Sequence, residues 1–162
     1  MRACDVMRSS FATVKPETPL IEAVRLLLQN NQRCLPVCDE DQNVIGVLSE
    51  GDLLHRRELD IRPVPRSWFE FLLTSPADEI SQNEADGLSV QKVMSQDAVY
   101  VDEEASLDEI VGRMDLHRNS EVLVVCGSRV IGIVSRFEMI AALERKLHSL
   151  LDAEDLRLQQ AG

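Results

Sequence analysis

The sequence predicts a mixed α/β (α+β) fold in which one β-α-β-β-α unit occurs twice. Three observations carry this. Val44-Ile45-Gly46-Val47-Leu48-Ser49-Glu50-Gly51-Asp52 and Val130-Ile131-Gly132-Ile133-Val134-Ser135-Arg136-Phe137-Glu138 are near copies, each an apolar run ending in serine with an acid three residues later. The likeness extends upstream, with a shift of 87 residues up to Cys38 and 86 from Val44 onward. Identities fall at Val6/Val93, Met7/Met94, Val14/Val101, Glu17/Glu104, Leu20/Leu107, Glu22/Glu109, Val24/Val111 and Val37/Val124. Finally, strand-like and helix-like apolar periodicities alternate in the same order in both copies.

The first copy takes residues 1–58. Thr18-Pro19 reads as a helix start, with Thr as cap and Pro at the first helical position. Leu20, Ala23, Val24, Leu27 and Leu28 then fall on one helical face, and Asn30-Asn31 ends the helix. Cys34–Cys38 and residues 43–48 read as strands joined by the polar Asp39-Glu40-Asp41-Gln42. Helix resumes after Ser49.

The second copy takes residues 89–150. Ser106-Leu107-Asp108-Glu109 is a capping box, in which hydroxyl and carboxylate each accept a backbone N–H of the first turn. Leu107, Ile110, Val111 and Met114 make the buried face. Glu121–Cys126 and residues 129–134 are strands around a tight Gly127-Ser128 turn. Helix resumes after Ser135 and continues into an extension over 151–162. Ile140, Leu143, Leu147 and Leu150 repeat along it at three-four-three spacing, which suits either an intramolecular seam or a helix pair across a dimer.

Between the copies, residues 59–88 form an insert. It carries Pro63, Pro65 and then Arg66-Ser67-Trp68-Phe69-Glu70-Phe71-Leu72-Leu73, an aromatic patch in a chain with 4% aromatics. An aromatic helix packed outside the repeat pair is the expectation, with a partner-binding patch as the alternative. Residues 76–84 read as a short acidic helix.

Composition narrows the function classes. The 162 residues are 44% hydrophobic, as expected of a chain with a real core, and carry a net charge of -11. That charge argues against nucleic acid as a main partner, since such binding needs cations to neutralise phosphates. It leaves a small anion open, because backbone amides and one arginine suffice for that. Cys4, Cys34, Cys38 and Cys126 match no zinc-binding spacing with His55, His117 and His148. Cys34 and Cys38 sit in a strand pattern as small hydrophobes. No apolar run approaches the ~20 residues of a membrane helix, and no signal peptide is evident, so a reducing cytoplasm is expected. No Ser-His-Asp set, phosphate-binding loop or metal constellation is present, so no catalytic residue is assigned and the chain is not expected to be an enzyme.

The repeated unit, with Asp5-Val6-Met7 and Lys92-Val93-Met94 leading into each copy, resembles a tandem pair of cystathionine-β-synthase (CBS) domains. The family's closing motif is glycine, two apolar residues, Ser or Thr, two free positions and Asp. Gly46-Val47-Leu48-Ser49-Glu50-Gly51-Asp52 fits it fully, and Gly132-Ile133-Val134-Ser135-Arg136-Phe137-Glu138 fits with Glu in place of Asp. The resemblance covers both repeats. It implies two domains packed about a pseudo-twofold axis, clefts between them that hold AMP, ADP, ATP or S-adenosylmethionine, and a homodimer. With no catalytic or membrane domain attached, the chain looks like a stand-alone bacterial-type member acting on an unidentified protein target. The Trp68 insert also resembles some of that group.

Carried onto this sequence, the resemblance assigns Thr13, Val14, Leu35 and Pro36 to the adenine of a first cleft, Ser49 to phosphate and Asp52 to the ribose diol. Residue chemistry agrees, since two hydroxyl donors can share one carboxylate. Ser-x-x-Asp is also an ordinary helix cap. In a second cleft Tyr100, Val101, Val122 and Leu123 would line the base, with Ser135, Arg136 and Glu138 at the junction. Glu138 is one methylene longer than Asp and could turn back as a cap. Arg136 near a helix start is electrostatically poor for the helix, so it is either a phosphate ligand or a solvated surface arginine. The expected function is a regulatory module that binds an adenosine-containing ligand and changes its dimer or partner surface. No cofactor is required beyond that ligand. The alternative is a dimeric interaction scaffold with non-binding clefts.

Overall fold

The computed structural model describes residues 1–54 and 88–160. The expected aromatic helix around Trp68 and the acidic helix over 76–84 lie outside the described residues. Along the described chain run α1 (Ala3–Val6), α2 (Leu20–Asn30), β1 (Cys34–Cys38), β2 (Val44–Ser49) and α3 (Glu50–Leu54). A 3-10 turn (Val90–Lys92) then leads to β3 (Tyr100–Asp102), α4 (Leu107–His117), β4 (Glu121–Cys126), β5 (Arg129–Ser135) and α5 (Arg136–Gln160). The mixed α+β class is as the sequence predicts.

One sheet pairs β1 with β2 antiparallel, Cys34 opposite Ser49 and Leu35 opposite Leu48. The other has the order β3-β4-β5, with β3 parallel to β4. The first copy's counterpart of β3 is a single parallel bridge, Val14 to Val37, equivalent to Val101 opposite Val124. Val14 still makes both ladder bonds: its N–H donates to the Pro36 carbonyl at 3.0 Å, and its carbonyl accepts from Cys38 N–H at 2.9 Å.

The chain divides into two compact units that do not follow sequence order. One gathers Met1–Ser10, Val99–Gly127 and Ile131–Gly162; the other gathers Phe11–Ala98 and Ser128–Val130. The segment that leads into the first repeat therefore belongs to the unit built on β3 and β4. The segment after Leu88 belongs to the unit built on β1 and β2.

Each unit has its own core. In the β1–β2 unit Val14, Leu20, Ala23, Leu27, Leu35, Val37 and Leu48 pack with Val90 and Val93 of the lead-in segment. In the other, Ala3 and Val6 of α1 pack with Val101, Ile110, Met114, Val122, Val124, Val134 and Ala142. Strand alternation sorts the rest: Val122 and Val124 join the core, while Leu123 and Val125 are buried on the opposite face.

Local expectations mostly hold, with three corrections. The α2 cap position is Pro19, not Thr18. Thr18 Oγ1 instead accepts the Lys15 N–H at 3.0 Å, closing the preceding turn, and the Leu20 N–H is used on the Leu88 carbonyl. Leu28 is 79% exposed, and Val111 also points outward, because the buried arc is narrower than the periodicity suggests. The α4 box forms only its serine half: Ser106 Oγ accepts Glu109 N–H at 3.2 Å, while the Glu109 carboxylate faces Arg113 at 3.9 Å. Asn31, at φ 50, ends α2 in the left-handed conformation asparagine tolerates, as the sequence indicates.

Two features hold the β1–β2 unit in register. The lead-in segment crosses β2 at Gly46, where an added Cβ would lie 2.8 Å from the Ser95 carbonyl oxygen. In the other unit an added Cβ at Gly132 would overlap the Met7 side chain. The second feature is the buried amide of Gln32. Its Oε1 accepts Ala12 N–H at 2.6 Å, and its Nε2 donates to the Ala12 and Cys34 carbonyls at 3.2 and 3.0 Å.

Gly46→Ala is expected to destabilise the protein by about 1–3 kcal/mol, since backbone must move to admit the methyl. Gly112→Ala on the open face of α4, where nothing lies within 4 Å, should stabilise by about 0.5–1 kcal/mol. Urea unfolding of both variants checks the contrast, and equal shifts would contradict the close crossing. Gln32→Leu should cost about 1–3 kcal/mol by leaving backbone groups buried without their partner, and an unchanged unfolding midpoint would count against the clamp.

Candidate functional site

Each repeat ends its last strand in a serine that begins a helix, and the acid three residues on turns back to that serine. At the β2–α3 junction the Asp52 Oδ2 atom accepts the Ser49 backbone N–H at 2.7 Å and the Ser49 hydroxyl at 2.6 Å. The Asp52 N–H donates to Ser49 Oγ at 3.2 Å. The cap is complete on one carboxylate oxygen. The other, Oδ1, accepts no hydrogen bond from the described residues. The Glu50 N–H is used on the Arg33 carbonyl at 2.9 Å, and the two side chains pair at the surface at 3.2 Å.

The strand residues expected around this junction are brought to it in part. Leu35 faces Leu48 across the ladder and Pro36 faces Val47, so both adjoin the end of β2. Leu35 and Val14 direct their side chains into the core, and the Val14 backbone is committed to β1. Thr13, exposed, precedes Val14 on the segment that Gln32 holds. Val47 exchanges both backbone hydrogen bonds with Ser95, each at 2.9 Å, which fixes the lead-in segment beside the junction.

The β5–α5 junction repeats the pattern with different side chains. Glu138 Oε2 accepts the Ser135 N–H at 2.8 Å and also the Ser135 hydroxyl, while Phe137 N–H donates to Ser135 Oγ at 3.1 Å. Glu138 Oε1 lies 3.9 Å from Arg8 Nε, and Arg8 Nη2 lies 3.8 Å from Glu121 Oε1. Arg136 faces outward to Asp115 at 3.6 Å, a solvent-exposed pair of small energetic weight. Val101 and Val122 are core residues, Leu123 is buried on the opposite sheet face, and Tyr100 is 54% exposed at the start of β3.

Arg8 and Glu121 escaped the sequence reading. A signal was present: the repeat alignment sets Arg8 against Ser95 and Glu121 against Cys34, so two charges replace small side chains. The cysteines form no disulfide. Burial raises the Cys38 pKa, and a hydrogen bond with Glu103 raises that of Cys126, so both thiols are held protonated. Among the described residues no three His, Cys, Asp or Glu side chains gather as a metal site requires, and no helix is long and apolar enough to cross a membrane.

The CBS domain pattern matches residues 3–58 and 90–145. The CBS domain-containing protein CBSX1, chloroplastic, of Arabidopsis thaliana is 30% identical over 151 residues, which span 86% of this chain and 62% of that relative's length. Among solved structures, the CBS domain pair of protein MJ0100 in complex with 5'-methylthioadenosine and S-adenosyl-L-methionine aligns at a TM-score of 0.65 and 20% identity, covering 90% of this chain and 98% of that one. CBSX2 of Arabidopsis thaliana in complex with AMP aligns at 0.64 and 24% identity, covering 89% and 97%. At those identities the two structures speak for the fold. With a β-α-β-β-α unit present twice and each copy ending in the glycine-to-acid junction, the chain belongs to the CBS domain family and carries two copies of the domain.

Proposed function

We propose that this protein is a regulatory module that binds an adenosine-containing ligand (AMP, ADP, ATP or S-adenosylmethionine) at the β2–α3 junction. The carrying observation is the division of labour on Asp52. One carboxylate oxygen completes the helix cap, and the other accepts no hydrogen bond from the described residues. An open carboxylate oxygen on a side chain already held in place is what a ribose diol needs, and ordering it costs little on binding. Ser49 is the polar neighbour for a phosphate or sulfonium-bearing tail. Exposed Thr13 flanks the base, on a backbone that buried Val14, Leu35 and Pro36 hold in place. The relatives crystallised with AMP and with S-adenosyl-L-methionine support the ligand class. The role is binding rather than catalysis, because Asp52 and Glu138 each close a helix turn in equivalent places of the two copies.

A second reading, a self-associating scaffold, is favoured by α5. Ile140, Leu143, Leu147 and Leu150 are each more than half exposed on this 25-residue helix, at the spacing of a helix-pair seam. The two readings are compatible: a homodimer built through α5 gives ligand binding a partner surface on which to act.

Asp52→Ala is expected to weaken the bound adenosine ligand by about 1–3 kcal/mol, the scale of hydrogen bonds to a charged acceptor. Calorimetric titration with AMP, ATP and S-adenosylmethionine measures it; equal affinity in a folded variant would remove Asp52 from the site, and no heat from any of them would leave the scaffold reading alone. For the helix seam, sedimentation should find the native chain dimeric and the Leu147→Glu/Leu150→Glu variant monomeric. A dimer that survives both charges would place the contact elsewhere.

A further inference from the structure

The two junctions share one hydrogen-bond frame, which permits a residue-by-residue comparison. Ser95 and Val47 exchange N–H···O bonds at 2.9 and 2.9 Å; Arg8 and Ile133 exchange the equivalent pair at 2.8 and 3.0 Å. The first helical N–H of α3, from Glu50, donates to the Arg33 carbonyl just before β1, and that of α5, from Arg136, donates to the Ser120 carbonyl just before β4. These contacts set Arg8 in the place of Ser95, Glu121 in the place of Cys34, and Glu138 in the place of Asp52. All three positions that surround the junction serine thus differ between the copies, and they differ together.

The substituted residues lie within ion-pair distance of one another through Arg8. Glu121 has a side chain only 5% exposed and Glu138 one 17% exposed. A nearby cation compensates part of the desolvation that carboxylates this buried suffer. Arg8, 25% exposed, lies 3.8 Å from Glu121 and 3.9 Å from Glu138 and serves both. Glu138 differs from Asp52 in the charge that stands beside its second oxygen. Its Oε2 is taken by Ser135, and its Oε1 is turned to Arg8. A ribose diol arriving here would find Oε2 capped by Ser135 and Oε1 at ion-pair distance, 3.9 Å, from the Arg8 guanidinium. It would also meet a guanidinium where the other copy has a serine.

We propose that Arg8, Glu121 and Glu138 form a fixed ion cluster that closes the β5–α5 junction to ribosyl ligands, so that each chain takes a single adenosine ligand, at Asp52. This rests on the adenosine reading of the Asp52 junction. Arg8 acts as a specificity-determining residue by holding Glu138 rather than by touching the ligand. Removing Arg8 alone would take from buried Glu121 the guanidinium that lies 3.8 Å away. Opening the site therefore requires all three residues to take the identities of the other copy.

The test uses the full chain, with AMP and S-adenosylmethionine as probes in calorimetric titration. The wild type should bind one equivalent per chain, weakened about 5- to 150-fold by Asp52→Ala. Arg8→Ser/Glu121→Cys/Glu138→Asp should gain a second equivalent that survives the further change Asp52→Ala. Two equivalents in the wild type, or a folded triple variant with no second equivalent, would overturn the closure. The cluster is also read without ligand: Arg8→Ser should lower the urea midpoint, and adding Glu121→Cys should restore it. If neither probe binds any variant, the adenosine reading fails, and the cluster is then decided by whether that restoration occurs; its absence overturns it.

Discussion

The double backbone exchange between a lead-in segment and the middle of a repeat's last strand is the contact on which the junction geometry depends. Ser95 and Val47 make it in one unit, Arg8 and Ile133 in the other. It brings an otherwise irregular stretch of chain within backbone distance of the strand, and it does so one residue beyond a glycine. At Gly46 the approach is so close that a methyl group would strike the Ser95 carbonyl. Once this crossing is made, Val90 and Val93 on one lead-in segment, and Ala3 and Val6 on the other, are delivered to the core of the unit they close. The residue at the crossing is set beside the junction serine in the same step.

A consequence is that capping and ligand binding need not compete at such a junction. A carboxylate has two oxygens, and a reciprocal serine cap uses one of them. Asp52 gives Oδ2 to Ser49, and its Oδ1 accepts no hydrogen bond from the described residues. Glu138, longer by one methylene, makes the same cap and carries its second oxygen to Arg8. The difference between the two junctions is then not the motif itself. It lies in the charge introduced at the crossing position, and in the buried Glu121 that the charge makes tolerable.

Much of this architecture was legible in the chain because it is local. The strands show as short apolar runs, the α4 cap as a serine before an amphipathic stretch, and the end of α2 as asparagine in a left-handed conformation. Where local signals were misleading, a distant partner had intervened. Thr18 lost its cap role because the Leu20 N–H goes to Leu88, which no window around Thr18 contains. Leu28 and Val111 matched a helical face but sit beyond the arc each sheet can cover. At the site, Ser49, Asp52, Ser135 and Glu138 were readable because a cap spans three residues. Arg8 and Glu121 were not, because their meaning comes from Glu138 at the other end of the chain.

The duplication, the order of elements within each copy and the two serine-to-acid junctions are written into the chain locally. All of these rest on periodicity and short-range hydrogen bonding, which neighbouring residues dictate. Which lead-in segment belongs to which sheet, and hence which residue crosses each last strand, follows from long-range packing. Electrostatic pairing acts through space, so Arg8 could be recognised as the partner of Glu121 and Glu138 only after the backbone exchange with Ile133 had put it there.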